Sequence, residues 1–145
     1  MKITILPPDP GQEDEVIIRC AQLDDSVMKL ISALKANTQR LTAYDEQGIT
    51  MLPPSDIFYF ESVDNRVFAY CEKNVYEIRK KLYELETDFA HTDFMRISKS
   101  TIVNVAKIQR LSAGFSGRLD ARLKNGEIVV ISRQYVGNLK QKLGI

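Results

Sequence analysis

From Arg40 to Ile131 the chain is cut into short β-branched and aromatic runs by closely spaced turn residues, and this punctuation constrains the fold more than any other feature. Leu41 to Tyr44 and Ile49 to Leu52 flank a Gln47-Gly48 turn, Ile57 to Val63 and Val67 to Cys71 flank Asp64-Asn65, and Lys73-Asn74 precedes Val75 to Ile78. Later runs are Met95 to Ile97, Ile102 to Val105, Ile108 to Ser112, Arg118 to Leu123 and Ile128 to Ile131, with clear turns at Gly114 to Gly117 and Lys124-Asn125-Gly126. Strands joined this closely pair antiparallel, because a parallel crossover needs a dozen or more residues. A meander is therefore expected.

Helical spacing interrupts the strands in two places. Ile78, Leu82, Leu85 and Phe89 mark one helix, and Val136, Leu139 and Leu143 mark a second, which Ser132 is placed to cap. Before Arg40, residues 2–6 and 16–20 have strand composition and are separated by Pro7-Pro8-Asp9-Pro10-Gly11 and an acidic stretch. Asp24-Asp25-Ser26 then offers capping side chains to an amphipathic helix with Val27, Leu30, Ile31 and Leu34 on one face, ending near Asn37. The expected fold class is mostly β, antiparallel sheets with short helices, preceded by a small strand-strand-helix segment. The chain divides into residues 1–39 and a main domain over residues 40–145, a length that buries one respectable core.

No apolar run approaches the roughly 20 residues of a membrane-spanning helix, and the opening MKITILPPDPG is too short and proline-rich for a signal peptide. A soluble, cytoplasmic protein is expected. Cys20 and Cys71 stand far apart without neighbouring ligand residues, so they are read as buried, reduced thiols. The formal charge of +1 hides an asymmetry. Met1 to Phe94 carries 10 Lys+Arg against 17 Asp+Glu, a net of −7, whereas Met95 to Ile145 carries 10 against 2, a net of +8. A basic segment in a near-neutral protein is the electrostatic footprint of a phosphate-rich partner, although such charges can also scatter over a solvated surface.

Catalytic constellations are missing. His91 is the sole histidine, and no serine or cysteine has a motif around it that would supply a base and an orienting group. Gly114 and Gly117 are not followed by a phosphate-loop lysine, and Asp24-Asp25 reads as helix capping. No enzyme activity, cofactor or metal is expected. Met95 to Asn104, in contrast, interleaves core residues with Arg96, Ser98, Lys99, Ser100 and Asn104, types suited to phosphate and base-edge bonding. Ser132-Arg-Gln-Tyr135 lies at a helix start, where backbone N–H groups favour a phosphate and Arg133 can reach past it to guanine.

Three ordered segments resemble the LytTR DNA-binding domain family: Leu52 to Ser62 (LPPSDIFYFES), Phe94 to Ile108 (FMRISKSTIVNVAKI), and Lys124 to Tyr135 (KNGEIVVISRQY) followed by Leu139-Lys140. The likeness runs from about Arg40 to the C-terminus. It implies antiparallel sheets with short helices, and loops rather than a recognition helix entering successive major grooves of double-stranded DNA. The base-reading positions it implies are Asn65, Lys99 and Arg133, and the backbone-binding positions are Arg66, Arg96, Ser100, Asn104, Lys107 and Tyr135. Asn104 has a structural alternative, tying down the loop that it ends, and Arg66 is the alternative to Asn65 in a turn that varies within the family. Family members often carry His or Asn where this chain has Lys99, so base preference should move with that side chain. Many relatives attach the domain to a receiver, and only a short segment precedes it here. The chain thus resembles the stand-alone type of regulator, often governed by a membrane-protein partner.

Two readings follow. The first is a sequence-specific transcriptional regulator acting as a homodimer on repeated half-sites, with the N-terminal segment in a dimerisation or regulatory role. The second is a protein-interaction adaptor whose acidic N-terminal part and amphipathic helix bind a partner while the basic half is merely solvated.

Overall fold

A computed structural model describes residues 1–38 and 40–145, apart from the side chains of residues 36–38. The boundary expected at residue 39 lies outside the described residues. The elements run α1 (Asp25–Thr38), β1 (Leu41–Asp45), β2 (Gly48–Leu52), β3 (Ile57–Val63), β4 (Arg66–Cys71), β5 (Val75–Ile78), α2 (Leu82–Asp88), β6 (Phe94–Arg96), β7 (Thr101–Asn104), β8 (Ile108–Ala113), β9 (Leu119–Leu123), β10 (Ile128–Ile131) and α3 (Arg133–Leu143). Short 3-10 turns cover Pro54–Asp56, Val105–Lys107 and Phe115–Gly117.

All pairings are antiparallel; the short connections require this for the hairpins, whereas β1–β5 and β3–β7 pair across longer stretches, so the meander expected from β1 to β5 is broken between β2 and β3. One seven-stranded sheet has the order β2-β1-β5-β4-β3-β7-β6, and a three-stranded sheet has the order β10-β9-β8. The β3–β4 connection is a two-residue turn with Asp64 at φ 52° and Asn65 at φ 63°. A tight hairpin turn of this hand needs left-handed backbone, which Asp and Asn tolerate best among residues bearing a side chain.

Strands β3 and β7 carry both cores. Phe60 and Ile102 face α2, where they pack with Leu82, Leu85 and Phe89, and the rings of Phe60, Phe89 and Phe94 meet at tilted angles. Phe58 and Val103 face the small sheet and α3, packing with Ala121, Leu123, Ile131 and Leu139. A register shift between Ile57 and Tyr59 explains why the consecutive Phe58 and Tyr59 both turn to this second core.

Several expectations are corrected. Residues 2–6 and 16–20 form no strand, and Ile3, Ile5, Val16 and Ile17 stand exposed. Strand composition alone is insufficient, because an extended segment needs a ladder partner and a buried face. Ile78 closes β5 and is buried there, so the second helix begins at Leu82. Leu143 lies exposed near the end of α3, past the core that takes Leu139. Ser132 occupies the N-cap of α3, but its side chain makes no capping bond. Cys20 is exposed because residues 1–24 bury no side chain, while Cys71 is half-buried, and burial beside Asp56 pushes its thiol up to about 11.

The start of α1 follows the sequence more closely. Asp24 Oδ1 accepts from the Val27 N–H at 3.0 Å and from the Ser26 hydroxyl at 2.8 Å, and both bonds hold the Asp24 carboxyl below its ordinary value. Val27 is buried, Ile31 and Leu34 are half-buried, and Leu30 is exposed, so the expected apolar face is only partly covered. The helix packs against the Pro54–Asp56 turn. No helix among the described residues is long and apolar enough to cross a membrane.

Candidate nucleic-acid interface

The β6–β7 connection is a tight loop closed by the Ile97 N–H donating to the Thr101 carbonyl at 3.0 Å. Within it the Ser100 N–H donates to Ser98 Oγ at 3.2 Å, so Lys99 is held at the apex with its side chain exposed. The Ser98 and Ser100 hydroxyls approach to 3.5 Å beneath it.

Two backbone bonds join this loop to the other predicted reading elements. The Ser62 N–H of β3 donates to the Ser100 carbonyl at 2.8 Å, two residues before the Asp64-Asn65 turn. The Ser132 N–H at the start of α3 donates to the Ile97 carbonyl at 2.8 Å, one residue before Arg133. The turn bearing Asn65, the loop bearing Lys99 and the helix start bearing Arg133 thus come together at one end of the β3–β7 pair. All three side chains are exposed.

The remaining predicted residues divide. Ser100 is exposed within the same loop. Arg66 is exposed at the turn, forms an ion pair with Glu77 and lies 5.4 Å over the Phe68 ring, so partners on the sheet face hold it. Arg96 lies close to the loop along the chain but turns toward α2, where Nε stands 3.4 Å from Glu86, and Nη1 is buried with no hydrogen-bond partner among the described residues. Tyr135 is half-buried in the second core.

Asn104 and Lys107 lie at the other end of β7. Asn104 is only 4% exposed, its Nδ2 donates to the Ile57 carbonyl at 2.9 Å, and its Oδ1 accepts from the Ala106 N–H at 3.1 Å. Both polar ends are therefore used internally, the geometry of the structural alternative. Lys107 sits 5.0 Å over the Phe58 ring, and its carbonyl accepts from the Lys124 N–H.

Sequence reading missed Arg118. It precedes β9, is exposed, and lines a groove of about 350 Å³ with Ser98, Ser132, Tyr59 and Val130. The signal was a cation directly after a glycine turn, but only the fold shows that this turn returns to the loop bearing Lys99. On the groove wall Tyr59 stacks on Tyr70 with ring centroids 4.4 Å apart, and burial, then the Glu127 carboxylate, raises the Tyr59 phenol above its ordinary value. Tyr59 is a neutral hydrogen-bonding wall, and Arg118 shares the groove lining with Glu61.

Comparison with known proteins bears on the family and the fold. The sequence profile of the LytTr DNA-binding domain matches residues 47–144. The chain is 28% identical over 147 residues to an uncharacterized HTH-type transcriptional regulator of Staphylococcus aureus strain NCTC 8325, covering 100% of this chain and 99% of the relative. A counterpart in strain MRSA252 is 27% identical with the same coverage. The helix-turn-helix in those names has no counterpart among the described residues, where five strands separate α2 from α3. Among solved structures, the LytTr DNA-binding domain of a Bacillus cereus protein superposes with a TM-score of 0.70 at 25% identity, covering 74% of this chain and 98% of that one. The profile match, the shared fold and the converging loops lead to one conclusion: the chain belongs to the LytTr DNA-binding domain family.

Proposed function

We propose that the protein is a sequence-specific transcriptional regulator that reads major grooves of duplex DNA through loop tips, with Lys99 and Arg133 as base readers and Asn65 assisting from the β3–β4 turn. The observation that carries this reading is the pair of backbone bonds from Ser62 to Ser100 and from Ser132 to Ile97, which hold three exposed polar tips at one end of the molecule. Ser100 and Arg118 suit phosphate contacts beside them, and Arg66 can join once DNA competes with Glu77. Membership of a DNA-binding family and the relatives' description as transcriptional regulators support the same function rather than an enzyme.

The protein acts as a cytoplasmic homodimer in this reading, since one small module covers little DNA. The N-terminal segment, with its exposed apolar side chains, supplies the dimer contact or receives a regulator such as a membrane-protein partner. The adaptor reading has less support, because Val27 of its helix face is buried within its own chain.

Selection of bound duplexes from a random library tests the function. Arg133→Ala should then weaken binding to the best site by about 1–3 kcal/mol and relax preference at one base pair. Unchanged affinity and preference would remove Arg133 from the reading role. Binding of the unaltered protein should fall steeply with salt, as each neutralised phosphate releases counterions.

A further inference from the structure

The β8–β9 connection, Gly114-Phe-Ser-Gly117, belongs to none of the three reading elements. It is closed by the Gly114 N–H donating to the Arg118 carbonyl at 2.9 Å and by the Arg118 N–H donating to the Phe115 carbonyl at 3.1 Å. Ser116 at φ 55° and Gly117 at φ 81° take the left-handed backbone that this tight path needs. A Cβ placed on Gly117 would stand 3.1 Å from Cδ and 3.3 Å from Cγ of Arg133. The Arg133 side chain thus lies directly across the Gly117 backbone. The loop is a shelf beneath a predicted base reader.

In the same loop Phe115 is 88% exposed, and no large apolar side chain is more exposed among the described residues beyond Leu23. A lone exposed apolar residue carries no meaning by itself. Phe115 differs in its position, because the loop that carries it is fixed by two backbone bonds and touches Arg133. Its ring gains nothing from folding, being in water, and is available to a partner that approaches Arg133.

We propose that Phe115 is a fourth DNA contact, packing on the methyl group of a thymine beside the base that Arg133 reads. The inference rests on the reading of Arg133 given above. In the major groove that methyl is the apolar group offered by base edges, and aromatic and other apolar side chains pair with it. An uncharged contact of this kind adds sequence preference without releasing counterions, so it leaves the salt dependence of binding unchanged. Gly117 is the positioning residue that keeps the two readers side by side.

The test compares full-length protein and Phe115→Ser on the duplex selected by the unaltered protein, and on copies in which each thymine is replaced in turn by deoxyuridine, which removes only the methyl. Removing one methyl should weaken the unaltered protein about four-fold at a single position. Phe115→Ser should bind the thymine duplex weakly by a similar factor and be indifferent to that same replacement. Its salt slope should match that of the unaltered protein, and its melting temperature should not move, since the ring is in solvent. Phe115→Ser binding as tightly as the unaltered protein, or losing equally on the thymine and deoxyuridine duplexes, would overturn the proposal. Arg133→Ala separates the two claims. Loss with Arg133→Ala but not with Phe115→Ser sinks the methyl contact alone, whereas full binding by both variants sinks the reading on which it rests.

Discussion

Asn104 shows how a polar residue in a basic segment can belong to the scaffold. Its amide joins β7 to the start of β3 and caps the start of the turn that follows, so truncation leaves the Ile57 carbonyl and the Ala106 N–H without their partners. Asn104→Ala should lower stability by about 2 kcal/mol, read as a lower urea midpoint, while the folded fraction binds DNA with unaltered affinity. A loss of affinity at unchanged stability would restore Asn104 to the interface. At this scale the sequence was informative about residue type and silent about direction. Lys99, Arg96 and Asn104 occupy one short stretch and read alike as polar or basic residues. The fold sends Lys99 to a loop apex, Arg96 to Glu86 and Asn104 into the core, because strand alternation and the following turn decide which face each side chain takes.

Among the elements, strands from β1 to β10 were legible because turn residues mark their ends and short connections leave only antiparallel pairing for hairpin neighbours, while the β1–β5 and β3–β7 pairings that order the sheet leave no local mark. Their bounds fall within a residue or two of the expected ones, the usual uncertainty of element ends. The N-terminal runs were not legible, since a strand depends on a partner that composition does not specify. The junction of β10 and α3 gives an element-scale prediction. Ser132 has φ −60° and its N–H is used only to hold the Ile97 carbonyl, so proline fits the backbone and deletes that one bond. Ser132→Pro should cost about 1 kcal/mol of stability and reduce binding to the selected duplex more than binding to random duplex. Equal reduction on both would mean that the bond supports the helix without aligning Lys99 and Arg133.

For the whole molecule, the charge division read from the sequence survives in altered form. The end of the molecule proposed to read DNA draws Lys99, Arg118 and Arg133 from the basic half and Asn65 from the acidic half, and the fold brings their loops together. The acidic N-terminal segment lies apart from both cores, with Ile3, Ile5, Leu6, Val16 and Ile17 in solvent. Deleting residues 1–23, which leaves the Asp24 cap of α1 in place, should therefore leave the melting temperature nearly unchanged and convert a dimer to a monomer in size-exclusion light scattering. A dimer that persists after the deletion would place the contact elsewhere. The latches among the reading tips have a further consequence for descent. They are made by main-chain atoms of Ser62, Ser100, Ile97 and Ser132, so their strength does not depend on which side chain occupies positions 65, 99 or 133. Operator preference can drift by exchange of single exposed side chains while the frame stays intact. In the proposed reading, one architecture therefore serves chains that share only about a quarter of their residues, with the tips free to change.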